Sequence, residues 1–135
     1  MKRLIPTAFL VFLTNTLPAV AGDLRWAASD NGKDIAWEDA KAYCAAKGSG
    51  WRLPSVTELE SLYGGSPRRC GRVTCRVKAR LTLTGPWFWS ASEVGTDEAR
   101  DAEDVAWGVL LVNGVRTQTL RPIDYGARAL CVRGA

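Results

Sequence analysis

Four cysteines in a chain of 135 residues, Cys44, Cys70, Cys75 and Cys131, constrain the fold more than any other feature. An even number in so short a chain reads as a disulfide framework, provided the chain enters an oxidising compartment. Its first residues predict that it does. Lys2 and Arg3 precede the apolar stretch Ala8 to Leu13, followed by Pro18 and Ala19-Val20-Ala21, which is the order of a secretory signal peptide. Cleavage is expected after Ala21, leaving residues 22–135 as one domain in a secreted or periplasmic protein. Thr14, Asn15 and Thr16 interrupt the apolar stretch, which falls short of the roughly 18–20 residues a bilayer-spanning helix needs. No membrane insertion is therefore expected after cleavage.

Four cysteines allow three pairings. Cys70 and Cys75 bracket only Gly71-Arg72-Val73-Thr74, a loop that closes easily, so these two are expected to pair and Cys44 to pair with Cys131. A zinc site is the competing use of cysteine. The chain has no histidine and lacks two close cysteine pairs, so no metal and no cofactor is expected.

Trp37, Ala40, Tyr43 and Cys44 recur three and four apart between charged residues, which predicts an amphipathic helix over residues 37–47. Gly48-Ser49-Gly50 ends it. Ser55 and Glu58 form a capping-box pair, so a second helix is expected to start there, with Val56, Leu59 and Leu62 as its buried stripe. The arginine-rich segment from Gly64 to Arg80 reads as a loop or irregular hairpin. Strands are expected over residues 87–91, 105–112, 115–120 and 127–133, with Asn113-Gly114 as a hairpin turn. Helices first and antiparallel strands second make the class α+β.

These residues resemble a known family, the C-terminal domain of the Legionella collagen-like adhesin, a bacterial module of C-type-lectin-like fold. The likeness is carried by Trp37, Ala40, Tyr43 and Cys44, and by Trp51-Arg52-Leu53-Pro54-Ser55 with Glu58, Leu59 and Leu62. Trp89-Ser90-Ala91-Ser92-Glu93, Trp107, Gly114 and Cys131-Val132-Arg133 complete it. The resemblance implies two helices packed on a small twisted antiparallel sheet, stabilised by disulfides, and adhesion to sulfated polysaccharides. Trp51, Trp89 and Trp107 are expected to fill the core, and Arg52 to pair with Glu58 or Glu93. Ala36 stands where the family has a capping Ser or Thr, so that capping hydrogen bond is expected to be missing or supplied by Asp34.

The second departure from the family pattern is the candidate site. Arg68, Arg69, Arg72, Arg76, Lys78 and Arg80 crowd into a stretch without an acidic residue. Guanidinium groups pair bidentately with carboxylate, sulfate or phosphate, so an acidic or sulfated glycan is the expected partner. An envelope protein is the alternative, and export makes nucleic acid an unsuitable one. Removing Lys2 and Arg3 leaves 16 basic against 14 acidic residues, so the local crowding matters and the net charge does not. Asp97, Glu98, Asp101, Glu103 and Asp104 form an opposite cluster. It has neither an EF-hand spacing nor the motifs of calcium-dependent sugar binders, and a solvated acidic loop is expected. Without histidine, a free thiol or a nucleophile-elbow serine, the chain is expected not to be an enzyme.

Overall fold

A computed structural model of the chain describes residues 24–94 and 104–134. The expected leader, residues 1–21, and most of the acidic cluster, residues 97–103, lie outside the described residues. The elements run β1 (Arg25–Trp26), α1 (Trp37–Ala45), β2 (Trp51–Arg52), α2 (Val56–Leu62), β3 (Tyr63–Cys70), β4 (Val73–Val77), β5 (Trp87–Glu93), β6 (Val105–Leu110), β7 (Val115–Leu120) and β8 (Val132–Arg133). The class is α+β. Where one sheet was expected, the described strands form three small antiparallel ones, ordered β1-β8-β2, β3-β4 and β5-β6-β7.

Alternation along β5 explains how the layers assemble. Phe88 faces one core with Val56, Leu59, Leu62, Val77 and Val109. Trp89 faces the other with Trp37, Ala40, Cys44 and Leu53. The β5-β6-β7 sheet is thus covered on both sides, by α2 and the β3-β4 hairpin on one and by α1 on the other. Both predicted disulfides are present. Cys44–Cys131 ties α1 to the residue before β8 across a separation of 87, and Cys70–Cys75 closes the hairpin.

Each helix begins as its local residues dictate. Around α2, Ser55 Oγ accepts from the Glu58 N–H at 3.1 Å while a Glu58 carboxylate oxygen accepts from the Ser55 N–H at 2.8 Å, the predicted capping box. Asp34 does not cap α1. Its carboxylate is taken up by the Gly126 N–H and the Arg128 guanidinium. Ala36 occupies the cap position without a side-chain bond, and the Trp37 N–H donates instead to the Arg121 carbonyl at 3.1 Å.

Two strand expectations change. An Asn113-Gly114 two-residue turn would pair Val112 with Val115, but the register pairs Leu110 with Val115 and leaves residues 111–114 as the loop. Leu111 is the cause: it is fully buried, its N–H donates to Pro86 and its carbonyl accepts from Arg76. Burying this leucine against the hairpin shifts the register of β6 on β7 by two residues from the one a two-residue turn would give. The expected strand over residues 127–133 survives only as Val132–Arg133. Residues 127–131 bond alternately to two neighbours, through carbonyls to Ala27, Asn31 and Ile35 on one side and through Arg128 to Trp87 and Trp89 on the other. The segment therefore wedges between irregular chain and β5.

Candidate functional site

The basic segment is an ordered hairpin, held from several directions. Cys70 pairs with Val73 across Gly71-Arg72, a two-residue turn with glycine in its first position. Gly71 has φ 74°, and a Cβ there would sit 2.6 Å from the Thr84 carbonyl oxygen, so the turn is docked against the Thr84–Gly85 backbone. Lower down, the Lys78 N–H bonds to Leu62 and the Arg76 N–H to Leu111, while the Arg76 guanidinium donates to the Gly65 carbonyl at 3.0 Å. Cys70, Cys75 and Val77 are buried beneath.

The six predicted cations are sorted by the pleat and do not share one face. Arg69 lies opposite Thr74 and Pro67 opposite Arg76, which puts Arg69 and Arg76 on the outward face as diagonal neighbours, a relation of roughly 7–8 Å in antiparallel pairs. Arg68 lies opposite Cys75 on the inward face and is half-buried. Arg72 is exposed at the turn, the Lys78 stem lies over Gly64, and exposed Arg80 follows the hairpin. None of the six meets a carboxylate among the described residues. By contrast Arg52, Arg116, Arg121 and Arg128 hold Glu58, Glu60, Asp104 and Asp34 at 2.8, 2.8, 3.1 and 3.0 Å.

A cleft of about 460 Å3 opens beside the turn, walled by Cys70 to Val73, Thr84 to Pro86, Gly126, Arg128 and Asp34. Sequence reasoning did not find this wall. Asp30, only 6% exposed, accepts from the Gly32 N–H, the Thr84 N–H and the Thr84 hydroxyl at 2.8, 2.7 and 2.7 Å. Arg128 in turn donates to the Thr84 hydroxyl and carbonyl and to Asp34. The Gly126 N–H, aided by Arg128, holds the Asp34 carboxyl below its ordinary value despite opposing desolvation. Apart from the Gly32 bond, the partners are 44 to 94 residues apart and leave no local pattern to read. The Gly71-Arg72 turn did leave one, a Gly-X pair between short alternating runs.

No family model matches the chain, and no curated protein matches it. The remaining motif residues are placed by their contacts alone. Trp37 and Trp89 are 1% exposed, and their indole N–H groups donate to the Ser90 and Ile35 carbonyls at 2.8 and 2.7 Å. Trp51 and Trp107 are half-buried at the rims of the two cores, the latter under the Arg116 guanidinium at 5.1 Å. Trp87 is also half-buried and donates to the Thr117 hydroxyl at 2.9 Å.

Arg52 selects Glu58 and not Glu93. Its two terminal nitrogens reach the two carboxylate oxygens at 2.8 and 3.0 Å, and one also reaches the Gly134 carbonyl. These hydrogen bonds lower the Glu58 carboxyl from its ordinary value and raise Arg52. Glu93 is exposed at the end of β5. Leu53, Pro54 and Leu59 are buried. Among the described residues no group of three or more acidic or cysteine side chains is arranged to hold a metal ion, and no helix is long and apolar enough to cross a membrane.

Proposed function

We propose that this chain is an exported, non-enzymatic binding module of C-type-lectin-like fold, similar to the C-terminal domain of the Legionella collagen-like adhesin. Its ligand is an acidic or sulfated polysaccharide, bound through the β3-β4 hairpin without a metal. One observation carries the reading: this hairpin is clamped by a disulfide, a docked turn and core contacts, yet it spends none of its cations on a carboxylate among the described residues. Charges that stabilise a fold are usually paired, and a rigid array of unpaired guanidiniums loses little entropy when it meets a polyanion. The architecture adds support, since two helices, small antiparallel sheets and two disulfides agree with what the resemblance implies.

Retention of the oxidised domain on a heparin-type matrix, eluted by salt, tests the proposal. Replacing Arg69, Arg72 and Arg76 together with alanine should move elution to distinctly lower salt. Passage of the unaltered domain in low salt, or unchanged elution of the triple variant, overturns it. A protein partner in the envelope is the second reading, favoured by the exposure of Val73 on the cleft wall and of Tyr125 beside Gly126. Binding through those groups would resist salt.

A further inference from the structure

The cleft beside the hairpin turn has a charge pattern that differs from the outward face. Three of its lining residues are charged: Asp34, Arg72 and Arg128. Arg128 and Asp34 are bonded to each other at 3.0 Å and locked by Thr84, Asp30 and Gly126, so their charges cancel and their wall is rigid. Arg72 has no carboxylate partner among the described residues and is the uncompensated charge of the cleft. The rest of the lining is compact: Gly71, Gly85 and Gly126 contribute backbone, and Pro86 and Val73 contribute apolar surface. A volume of about 460 Å3 falls within the roughly 300–1,000 Å3 typical of clefts that enclose small ligands.

We infer that this cleft is a subsite for a single acid-bearing sugar residue of the polysaccharide, with Arg72 taking the acid group and the Pro86–Gly126 surface receiving the ring. The inference rests on the proposed polysaccharide binding and adds a division of labour. Arg69 and Arg76 on the outward face attract the polyanion by charge, and the cleft at the turn recognises one residue of it by shape. A sugar ring presents an apolar face and an edge of hydroxyls. The apolar and glycine-backbone lining suits the face, while the bound Asp34 carboxylate and the Thr84 carbonyl supply acceptors at the edge.

Calorimetric titration of the mature, oxidised domain tests this with three probes: a sulfated, uronate-containing disaccharide, a uronate disaccharide without sulfate, and a long sulfated chain. At least one disaccharide should bind. Arg72→Glu should weaken that binding about tenfold or more, the scale of one lost charge-assisted contact. The same charge change in Arg25→Glu, on β1, should leave it unaltered. Val73→Trp, which fills the cleft and keeps every cation, should abolish disaccharide binding while the long chain still binds. Sulfate dependence then assigns the acid group that Arg72 takes. If the long chain binds but neither disaccharide does, or if Arg72→Glu and Val73→Trp leave disaccharide binding intact, the cleft assignment is overturned while polysaccharide binding stands. Failure of the long chain to bind removes both.

Discussion

Glu58 is the residue at which the most distinctive sequence motif becomes structure, and Glu58→Gln isolates its charge. The carboxylate accepts from both terminal nitrogens of Arg52, at 2.8 and 3.0 Å, and from the Ser55 N–H at 2.8 Å. Glutamine keeps the length and one acceptor, so the backbone bond to Ser55 can persist, but the guanidinium fork loses its charged partner. The Glu58 side chain is 19% exposed and that of Arg52 39%, so the pair sits at the upper end of the ~0.2–1 kcal/mol range for solvated ion pairs. A negative charge in the first turn of a short helix adds about 0.3 kcal/mol. The variant should thus lose about 1–1.5 kcal/mol near neutral pH.

The pH dependence fixes the mechanism of that loss. Glu58 is depressed below the ordinary 4.5, first by the Arg52 hydrogen bonds and, against desolvation, by Ser55 and the Arg52 charge. Its contribution is complete above the unfolded-state value and disappears as pH falls through the lower folded value. Glutamine does not titrate, so the gap between the two proteins must close in acid. Urea unfolding at neutral pH and at successive steps below 4.5 measures it, with m unchanged. A gap that stays constant into strong acid, or a variant as stable as the wild type at neutral pH, would refute the ion-pair account. On the proposed binding through the β3-β4 hairpin, heparin-type retention should be nearly the same in both proteins while folded, because Glu58 lies on α2 and outside that hairpin.

Three further outcomes follow from the same geometry. Removing the Cys44–Cys131 pair should cost on the order of 4–5 kcal/mol and removing Cys70–Cys75 about 2 kcal/mol, since loop entropy grows with the enclosed length; thermal or urea unfolding of the two double-alanine variants ranks them. Gly71→Ala combines φ 74° with a Cβ 2.6 Å from the Thr84 carbonyl, so it should cost about 1–3 kcal/mol and, unlike Glu58→Gln, also lower the salt at which the folded protein leaves a heparin-type column. Thr119 is 8% exposed and its hydroxyl has no partner among the described residues, so Thr119→Val should raise stability by about 1 kcal/mol, read as an increased melting temperature.

What the sequence made legible was local. Trp37, Ala40 and Cys44 announce α1 by spacing, Ser55 and Glu58 announce α2 by reciprocal capping, and the short interval between Cys70 and Cys75 announces the hairpin disulfide. The misreadings arose where a residue answers to something distant. Leu111 leaves its ladder to fill a core built from five other elements, and the choice left open at the start of α1, a missing cap or Asp34, is decided by Arg128, which holds Asp34 from 94 residues away. The cleft was invisible for the same reason: Asp30, Thr84 and Arg128 carry no mutual pattern in sequence. Adjacent Arg68 and Arg69 must take opposite faces of any strand, but only a known register sends Arg68 inward and Arg69 outward.

The pairing of β1 with β8 also determines how the domain bears load. Arg25 lies opposite Arg133, so tension applied across these two positions peels adjacent antiparallel strands. Once they part, extension reaches Cys44 and Cys131 and stops at a covalent link. The sequence enclosed by that link, 87 residues in separation and including the basic hairpin, then carries no force. The β3-β4 hairpin thus lies in a mechanically silent segment, whereas Asp30 and Asp34 lie in the load-bearing stretch before Cys44, so extension strips their wall from the cleft and leaves the outward face of the hairpin intact. Single-molecule extension should release the enclosed length only after reduction; its release from the oxidised protein would contradict this shielding.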